Sequence, residues 1–229
     1  MKKFIFLASL LVGFVVFQSC KKSGSTSTTN MRLVNLSPNS PAMDVYLNST
    51  LVVGNVSYGV ASGYQSVNAA SSSIAINQTG TANILLTGNI AFAANNYYSS
   101  VVYDSVGVLK GNIFQDDRTA PPAGKCFVRF FDYVSGTPSI DIIRVGSTTN
   151  KLFASRAYLD HINTTSNIAY TAIDPGPVTI SAVIAGTSVL ITTLPGFEAA
   201  VGKSYTLVLK GFNNGTRTQA IFLAPLYDN

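Results

Sequence analysis

The fold is decided by a stretch of sequence that occurs twice. Residues 32–45 read RLVNLSPNSPAMDV, and residues 129–142 read RFFDYVSGTPSIDI, so that every position recurs 97 residues later without a gap. Farther along, residues 98–102 (YSSVV) match residues 205–209 (YTLVL) at the larger offset of 107, which indicates loop insertions in the second copy. Each copy has about 90 to 100 residues, the usual size of a domain with its own core. The sequence therefore predicts two tandem domains.

Short apolar runs rich in Val, Ile, Tyr, Phe and Thr alternate with clusters of Gly, Asn, Pro and Ser in both copies. Runs of this length and composition predict β-strands, about seven in each copy. The strongest helical candidate, residues 197–201, would form barely one turn. We therefore expect an all-β fold of two tandem immunoglobulin-like β-sandwich domains, although the chain contains no Trp and lacks the cysteine pattern of true immunoglobulin domains.

The composition between the copies predicts the domain boundaries. Residues 119–124 read TAPPAG, a linker composition that separates a first domain at 31–118 from a second domain at 125–229. A Pro-rich linker favours a stiff but separable connection between them. A rigid arrangement would need a large apolar interface, which the sequence pattern does not reveal.

The first twenty residues indicate where the protein is located. Residues 1–19 combine a basic start (MKK) with an apolar run of about 14 residues, which is typical of an export signal and too short to cross a membrane comfortably. Cys20 directly follows Ser19, and this end of the signal resembles the lipobox of bacterial lipoproteins, in which lipid is attached to the cysteine sulfur. A secreted protein with a disulfide-capable Cys20 is the alternative.

Residues 20–30, rich in Ser and Thr, predict a flexible tether that is lipid-anchored to a membrane. Lys21 directly after Cys20, with no aspartate there, is compatible with passage to the outer membrane. The sequence thus places the protein in the bacterial cell envelope, with the outer membrane favoured. The choice between a periplasmic and a surface-facing orientation is left open.

Charge and motif spacing argue against two classes of partner. The formal net charge of +5 includes four lysines ahead of the folded region, and the other lysines are scattered rather than clustered as a nucleic-acid footprint requires. Residues 196–204 (GFEAAVGKS) place five residues between two glycines where a phosphate-binding loop requires four. Neither nucleic acid nor a nucleotide is expected as a partner.

One motif carries a family resemblance. Residues 36–46 (LSPNSPAMDVY), followed by residues 56–59 (VSYG), resemble the start of the family of domains of unknown function numbered 4397. In the second copy, residues 134–138 (VSGTP) depart from the Ser-Pro pattern, and membership there depends on the internal repeat. The resemblance implies bacterial envelope or extracellular β-sandwich modules with no established activity.

Four charged residues of the repeat are expected to form structural ion pairs. Arg32 and Asp44 are twelve residues apart, and Arg129 and Asp141 have the same spacing. If the Ser-Pro turn joins the first two strands of each copy into a hairpin, each Arg faces its Asp and fixes the register. A ligand-binding role is the alternative, and the pairing fails if the two strands lie in opposite sheets.

Residue types that carry catalysis or bind metals are sparse. His161, the single histidine, follows Asp160, but no serine in a nucleophile elbow accompanies them, and a loop histidine is the simpler interpretation. Asp116 and Asp117 alone are too few to hold Ca²⁺, and Cys126 is expected to fill an apolar site. The sequence therefore predicts no catalytic residue, no metal site, no cofactor and no enzymatic activity.

Two features favour interaction instead. Ser105 lies in the sequence DSV, which resembles the O-glycosylation signal of Bacteroidetes envelope proteins. Exposed tyrosine rings can stack on sugars, and the candidates are Tyr58, Tyr64, Tyr97, Tyr98, Tyr158 and Tyr227. We expect a non-enzymatic structural or interaction module of the envelope, with an envelope protein or a glycan as partner. A surface glycan-binding or adhesion protein is the alternative.

Overall fold

A computed structural model of the protein describes residues 27–105, 107–146, 151–214 and 220–228. The predicted signal peptide, Cys20 and most of the tether lie outside these ranges. The described part of the chain contains sixteen β-strands, one α-helix of four residues and one 3₁₀ helix of four residues. The all-β prediction is confirmed. No helix within the described ranges is long and apolar enough to span a membrane.

The first eight strands form the first domain. They are β1 (Thr28–Asn35), β2 (Met43–Leu47), β3 (Thr50–Val56), β4 (Gln65–Asn68), β5 (Ser71–Gln78), β6 (Ile84–Ala91), β7 (Tyr97–Tyr103) and β8 (Lys110–Gln115).

The other eight strands form the second domain. They are β9 (Cys126–Asp132), β10 (Ile140–Arg144), β11 (Lys151–Arg156), β12 (Thr171–Ile173), β13 (Gly176–Ile184), β14 (Leu190–Ala199), β15 (Ser204–Lys210) and β16 (Phe222–Tyr227). Helix α1 (Asp160–Asn163) and the 3₁₀ helix (Thr165–Ile168) lie between β11 and β12.

The two domains have the same strand order. In the first domain the sheets are β4-β1-β7-β8 and β3-β2-β5-β6, and in the second they are β12-β9-β15-β16 and β11-β10-β13-β14. The pairs β1/β7 and β9/β15 are parallel, and the other paired strands are antiparallel. The predicted sandwich architecture is confirmed. Each domain has eight strands in two four-stranded sheets, one more than the seven strands of a constant-type immunoglobulin domain.

Alternating side chains build a core between the two sheets of each domain. In β2, the buried residues Met43, Val45 and Leu47 belong to the core of the first domain. Asp44 and Tyr46 alternate with them and lie on the other face of the sheet. This period of two explains why the repeated stretch forms strands.

The two sandwiches pack against each other through one sheet from each, so the described chain forms four sheet layers. On β7, Val102 belongs to the core of the first domain, whereas Val101 and Tyr103 pack against Phe131 and Tyr133 of the second domain. The central strands of these inner sheets, β1, β7, β9 and β15, are buried on both faces, which explains their largely apolar runs. The sequence favoured a separable connection, but the domains share a buried apolar interface instead.

Candidate functional site

A buried cluster of four charged residues, which we call the junction, joins the two domains. It consists of Arg32, Asp116, Arg129 and Asp228. Arg32 Nη2 lies 2.5 Å from Asp228 Oδ1, and Arg129 Nη2 lies 2.9 Å from Asp116 Oδ1. Each arginine is on the first strand of one domain, and its aspartate directly follows the last strand of the other domain. All four side chains are at most 3 % exposed.

Hydroxyl groups complete the junction in the same way on both sides. Ser99 Oγ on β7 accepts a hydrogen bond from Arg32 Nε at 2.7 Å and donates one to Asp116 Oδ2 at 2.7 Å. Thr206 Oγ1 holds the equivalent position on β15, and its two equivalent bonds are 2.7 Å and 2.6 Å long. The junction therefore has a pseudo-twofold arrangement that relates one domain to the other.

Aromatic rings surround the charges of the junction. Tyr64 Oη donates a hydrogen bond to Asp116 Oδ2 at 2.9 Å, and Tyr170 Oη donates one to Asp228 Oδ2 at 2.8 Å. The guanidinium carbon of Arg129 lies 4.7 Å from the centre of the Tyr170 ring, and two phenylalanine rings are nearly as close. Such cation–π contacts add to the attraction of the ion pairs.

The charges of the junction balance, because two arginines face two aspartates. Burial by itself would lower the pKa of Arg32 and of Arg129. The neighbouring carboxylates of Asp228 and Asp116 outweigh that effect, and the pKa of both arginines is raised above its usual value. Removing one partner of a buried ion pair is strongly destabilising, so the junction fastens the domains together.

The predicted ion pairs of Arg32 with Asp44 and of Arg129 with Asp141 are wrong. The first two strands of each domain lie in opposite sheets, so the four residues do not form cross-strand pairs. The arginines instead point into the junction, where each meets an aspartate of the other domain.

Asp44 and Asp141 instead hold their own sheets together. Asp44 accepts hydrogen bonds from the backbone amide groups of Asn55 at 2.8 Å and Gly80 at 3.0 Å. Asp141 does the same in the second domain, and Lys151 Nζ lies 2.6 Å from its Oδ2. Each aspartate thus links an irregular position on β3 or β11 to the turn between two other strands. Lys151 and these hydrogen bonds lower the pKa of Asp141, and its own hydrogen bonds lower that of Asp44 in spite of burial.

His161 is buried in α1 rather than placed on a loop, so that prediction is wrong. Its ring stacks on Phe131 with 4.1 Å between centres, and its Nε2 lies 3.1 Å from Tyr133 Oη. Asp160 forms an ion pair with Arg156 and no hydrogen bond to the histidine. Burial lowers the pKa of His161 to about 4. The geometry does not resemble half of a catalytic triad.

Two other residues that the sequence singled out, Asp116 and Cys126, are buried inside the protein. Asp116 belongs to the junction, and Cys126 is fully buried in the core of the second domain, as expected. In the described ranges, no group of three or more His, Cys, Asp or Glu side chains lies close enough together to hold a metal ion.

Most of the residues predicted to carry or to contact glycans are partly buried. Ser105 is half-buried. Of the six candidate tyrosines only Tyr227 is exposed, at 66 %. Tyr64 donates to the junction, and Tyr158 Oη donates to the Asp104 carboxylate at 3.0 Å. The structure does not bring these six rings together into an exposed platform.

A cleft of about 440 Å³ opens in the first domain, and sequence analysis did not predict it. It lies between β6 and β8, which are edge strands of the two facing sheets. Its apolar lining consists of Ile74, Ile76, Leu86, Ile90, Tyr98 and Ile113. The other lining residues are small or uncharged polar residues, and none carries a charge. We call this space the cleft.

Two glycines explain why the cleft is open in the first domain, whereas the described part of the second domain is closed at the equivalent place. Gly88 on β6 pairs with core residue Ile74, and in the second domain Leu194 pairs with Ile180 at the equivalent position. Because directly paired residues point to the same face, Leu194 projects into the core of the second domain. Gly88 leaves that volume empty in the first domain.

The same exchange occurs on the opposite wall of the cleft. Gly111 on β8 pairs with Val102, and its counterpart Leu223 on β16 pairs with Leu209 and is buried. In the second domain β14 therefore packs against β16 and closes the sandwich. Aligning β6 with β14 and β8 with β16 would have revealed this signal, but the sequence repeat is too weak in those strands.

The backbone does not require glycine at either position. Neither Gly88 nor Gly111 has a positive φ. A Cβ at Gly88 would lie 3.6 Å from a methyl carbon of Ile74, which is an ordinary van der Waals contact. A Cβ at Gly111 would lie 3.6 Å from the carbonyl oxygen of Val101. Side chains would therefore fit where the glycines leave space.

The family model described as domain of unknown function (DUF4397) matches residues 29–143, half of the chain. The chain belongs to this family. The match covers the whole first domain and extends into β10 of the second. The resemblance that the repeated motif indicated is thus confirmed, and the DUF4397 domain of this chain contains the cleft.

Two solved structures show low similarity to the chain. One, described as alpha-glucan binding by a streptococcal virulence factor, is 14 % identical, has a TM-score of 0.25, and the alignment covers 79 % of this chain and 93 % of that chain. The other is a CBM26 module of Eubacterium rectale Amy13K in complex with maltoheptaose, with 11 % identity, a TM-score of 0.26, and coverage of 86 % and 97 %. Scores this low carry no argument about fold or ligand. No curated protein matches the chain.

Proposed function

We propose that this DUF4397 chain is a non-enzymatic, lipid-anchored module of the bacterial cell envelope, with a structural or interaction role. Cys20 carries the lipid, and residues 21–27 form the tether, which is shorter than the predicted 20–30 because β1 begins at Thr28. The two packed sandwiches form the folded part of the protein. The outer membrane is the favoured location. The partner is an envelope protein or a glycan.

The observation that supports this proposal is the junction. Because its ion pairs cross between the domains and are buried, separating the domains would break these pairs and leave charged groups without their partners. The apolar contacts of Val34, Leu36 and Leu226 add to the same interface. A body of fixed shape at the end of a tether is suited to presenting a surface. Catalysis needs accessible titratable groups, whereas the titratable groups of the junction are enclosed.

Surface glycan binding is the alternative role, and its structural support is weaker. Phe222 and Tyr227 are exposed on β16, at 42 % and 66 %. They are five residues apart on one strand and therefore point to opposite faces, so they do not form one stacking platform.

Metabolic labelling with an alkynyl fatty acid tests the anchor. Native protein and Cys126→Ala should be labelled, whereas Cys20→Ala should not, because Cys126 is buried and serves as the matched control. Label retained by Cys20→Ala would contradict the proposed anchor.

Protease shaving of intact cells then tests the role, with a periplasmic protein as the control for envelope integrity. Digestion on intact cells would place the domains outside and make a glycan array the next step. Array binding that Tyr227→Ala abolishes would replace the proposed role with the alternative. Protection until the envelope is opened would favour a structural role in the periplasm.

A further inference from the structure

We propose that the cleft of the first domain binds an uncharged, largely apolar small molecule with a lipid-like chain. This site goes beyond the anchoring role, because it depends on the interior of the DUF4397 domain and not on Cys20. The second domain has the same strand order and a closed core, and it therefore serves as an internal reference for the first.

The open interior is costly unless something fills it. Protein cores are packed as densely as organic crystals, and empty apolar space destabilises them. Glycine inside a strand weakens it further and often marks a bulge, a tight bend, or a place where a ligand or another backbone approaches closely. In the second domain, Leu194 and Leu223 fill the equivalent space, so the scaffold accepts leucine at both positions. Gly88 and Gly111 therefore maintain space rather than backbone geometry.

The size of the cleft fits a small molecule. Its volume of about 440 Å³ falls within the usual range of ligand sites, roughly 300 to 1,000 Å³. One side opens to solvent between β6 and β8, which gives a ligand an entrance. Ile74 and Ile76 form part of one wall, and Tyr98 and Ile113 form part of the opposite wall.

The lining determines the charge of the ligand. No Lys, Arg, Asp or Glu lines the cleft, so an ionic group placed there would lose its hydration without gaining a partner. Ser100 is buried and lies on the same face of β7 as the core residue Val102, where it supplies an uncharged hydroxyl group to the cleft. A ligand with an apolar chain and one neutral polar end fits this distribution.

Nile red, a neutral apolar dye, tests the proposal in a fluorescence titration. The protein used is the chain from residue 21 onward, which retains all sixteen described strands and avoids detergent. We expect saturable binding of one dye per chain. In the double variant Gly88→Leu/Gly111→Leu, the dissociation constant should rise at least tenfold. Thr50→Leu, which adds the same side chain at an exposed position on β3, should bind as the native protein does.

Displacement of the dye tests the chemistry of the ligand. Decanol should displace Nile red, and decanoate, which has the same chain length and a negative charge, should do so at least tenfold less well. Unsaturable dye binding, equal affinity in the double variant, or equal displacement by the two compounds would overturn the proposal.

Circular dichroism shows whether the double variant folds. If the double variant does not fold, Gly88→Ala and Gly111→Ala replace it, because one carbon at either position makes only ordinary contacts. Each should weaken dye binding about threefold, and unchanged binding in both would overturn the proposal. The lipid anchor is absent from these experiments, so their failure is distinguishable from failure of the proposed function.

Discussion

The two domains share a scaffold but differ in their interiors, and the difference separates structural positions from candidate functional ones. Both domains have the same strand order, an arginine on the first strand and an aspartate after the last. The first domain has Gly88 where the second has Leu194, and its core is open where the second is closed. Positions that agree between the copies hold the body together, whereas positions that disagree indicate what the first domain does alone.

The junction should give the largest effect, since it is the feature that both domains share. Replacing Arg129 with Met leaves the buried Asp116 without its closer cation and with only Arg32 at 3.9 Å, and we expect the free energy of unfolding to fall by about 3–5 kcal/mol. Urea denaturation followed by circular dichroism measures this loss. Adding Asp116→Asn to the same variant should restore part of it.

A surface pair provides the control for this variant. Lys125 and Asp174 form an exposed ion pair, and Lys125→Met should change stability little. A loss for Arg129→Met no greater than that of Lys125→Met would show that the junction does not fasten the domains.

A change in side-chain size should alter the free energy of unfolding more in the closed core of the second domain than at the equivalent position in the open core of the first. Leu223→Ala removes a buried side chain, and we expect a loss of about 2–5 kcal/mol in unfolding free energy. Gly111→Ala at the equivalent position adds a carbon that makes only ordinary van der Waals contacts and should change stability by less than about 1 kcal/mol. Thermal and urea unfolding compare the two. Equal losses would mean that the two interiors are packed alike.

Asp132 should make the stability of the second domain depend on pH. Asn35, which does not titrate, holds the same position in the first domain. Both side chains are fully buried, and Asp132 accepts hydrogen bonds from the Val134 amide and the Thr137 hydroxyl. Burial raises the pKa of Asp132 to about 6. The folded state therefore favours the protonated acid, and the free energy of unfolding falls as pH rises from about 4 to 6.

Asp132→Asn should remove this penalty. We expect a gain of up to about 3 kcal/mol at pH 7.5 that disappears near pH 4. Urea denaturation at both pH values measures it. A gain of the same size at pH 4 would contradict the assignment, since Asp132 is then almost fully protonated in the folded state and about half protonated in the unfolded state, which leaves little of the penalty.

His161, on the insertion that only the second domain contains, should give the smallest effect. Its pKa of about 4 lies below the usual value, so the folded state favours the neutral ring and stability falls as pH drops from 6.5 towards 4. His161→Phe keeps an aromatic ring against Phe131 and should remove this fall, a difference of about 1 kcal/mol at pH 5.5. Each protein is compared with its own stability at pH 8. If the unfolding free energies of the two proteins depend on pH in the same way, unfolding does not change the protonation of His161.

The sequence revealed the repeat and the β-strands because both depend on local patterns. Arg32 and Arg129 were correctly singled out, but their partners were not, since Asp228 is 196 residues from Arg32 and no local spacing links them. The expected pairs required a hairpin between the first two strands of each domain, but those strands lie in opposite sheets. The cleft was missed because Gly88 and Gly111 lie in strands where the copies are too different to align by eye. The anchor at Cys20 lies outside the described residues and stays a prediction.

Isoleucine methyl NMR of the native chain during titration with Nile red would test the central claim most directly, because it compares the two interiors in one molecule without any substitution. We expect saturable shifts for Ile74, Ile76 and Ile113 in the first domain, and unchanged signals for Ile140 and Ile180 in the second. Shifts of similar size in both domains, or no shift in the first, would contradict the claim that the ligand enters the cleft of the first domain.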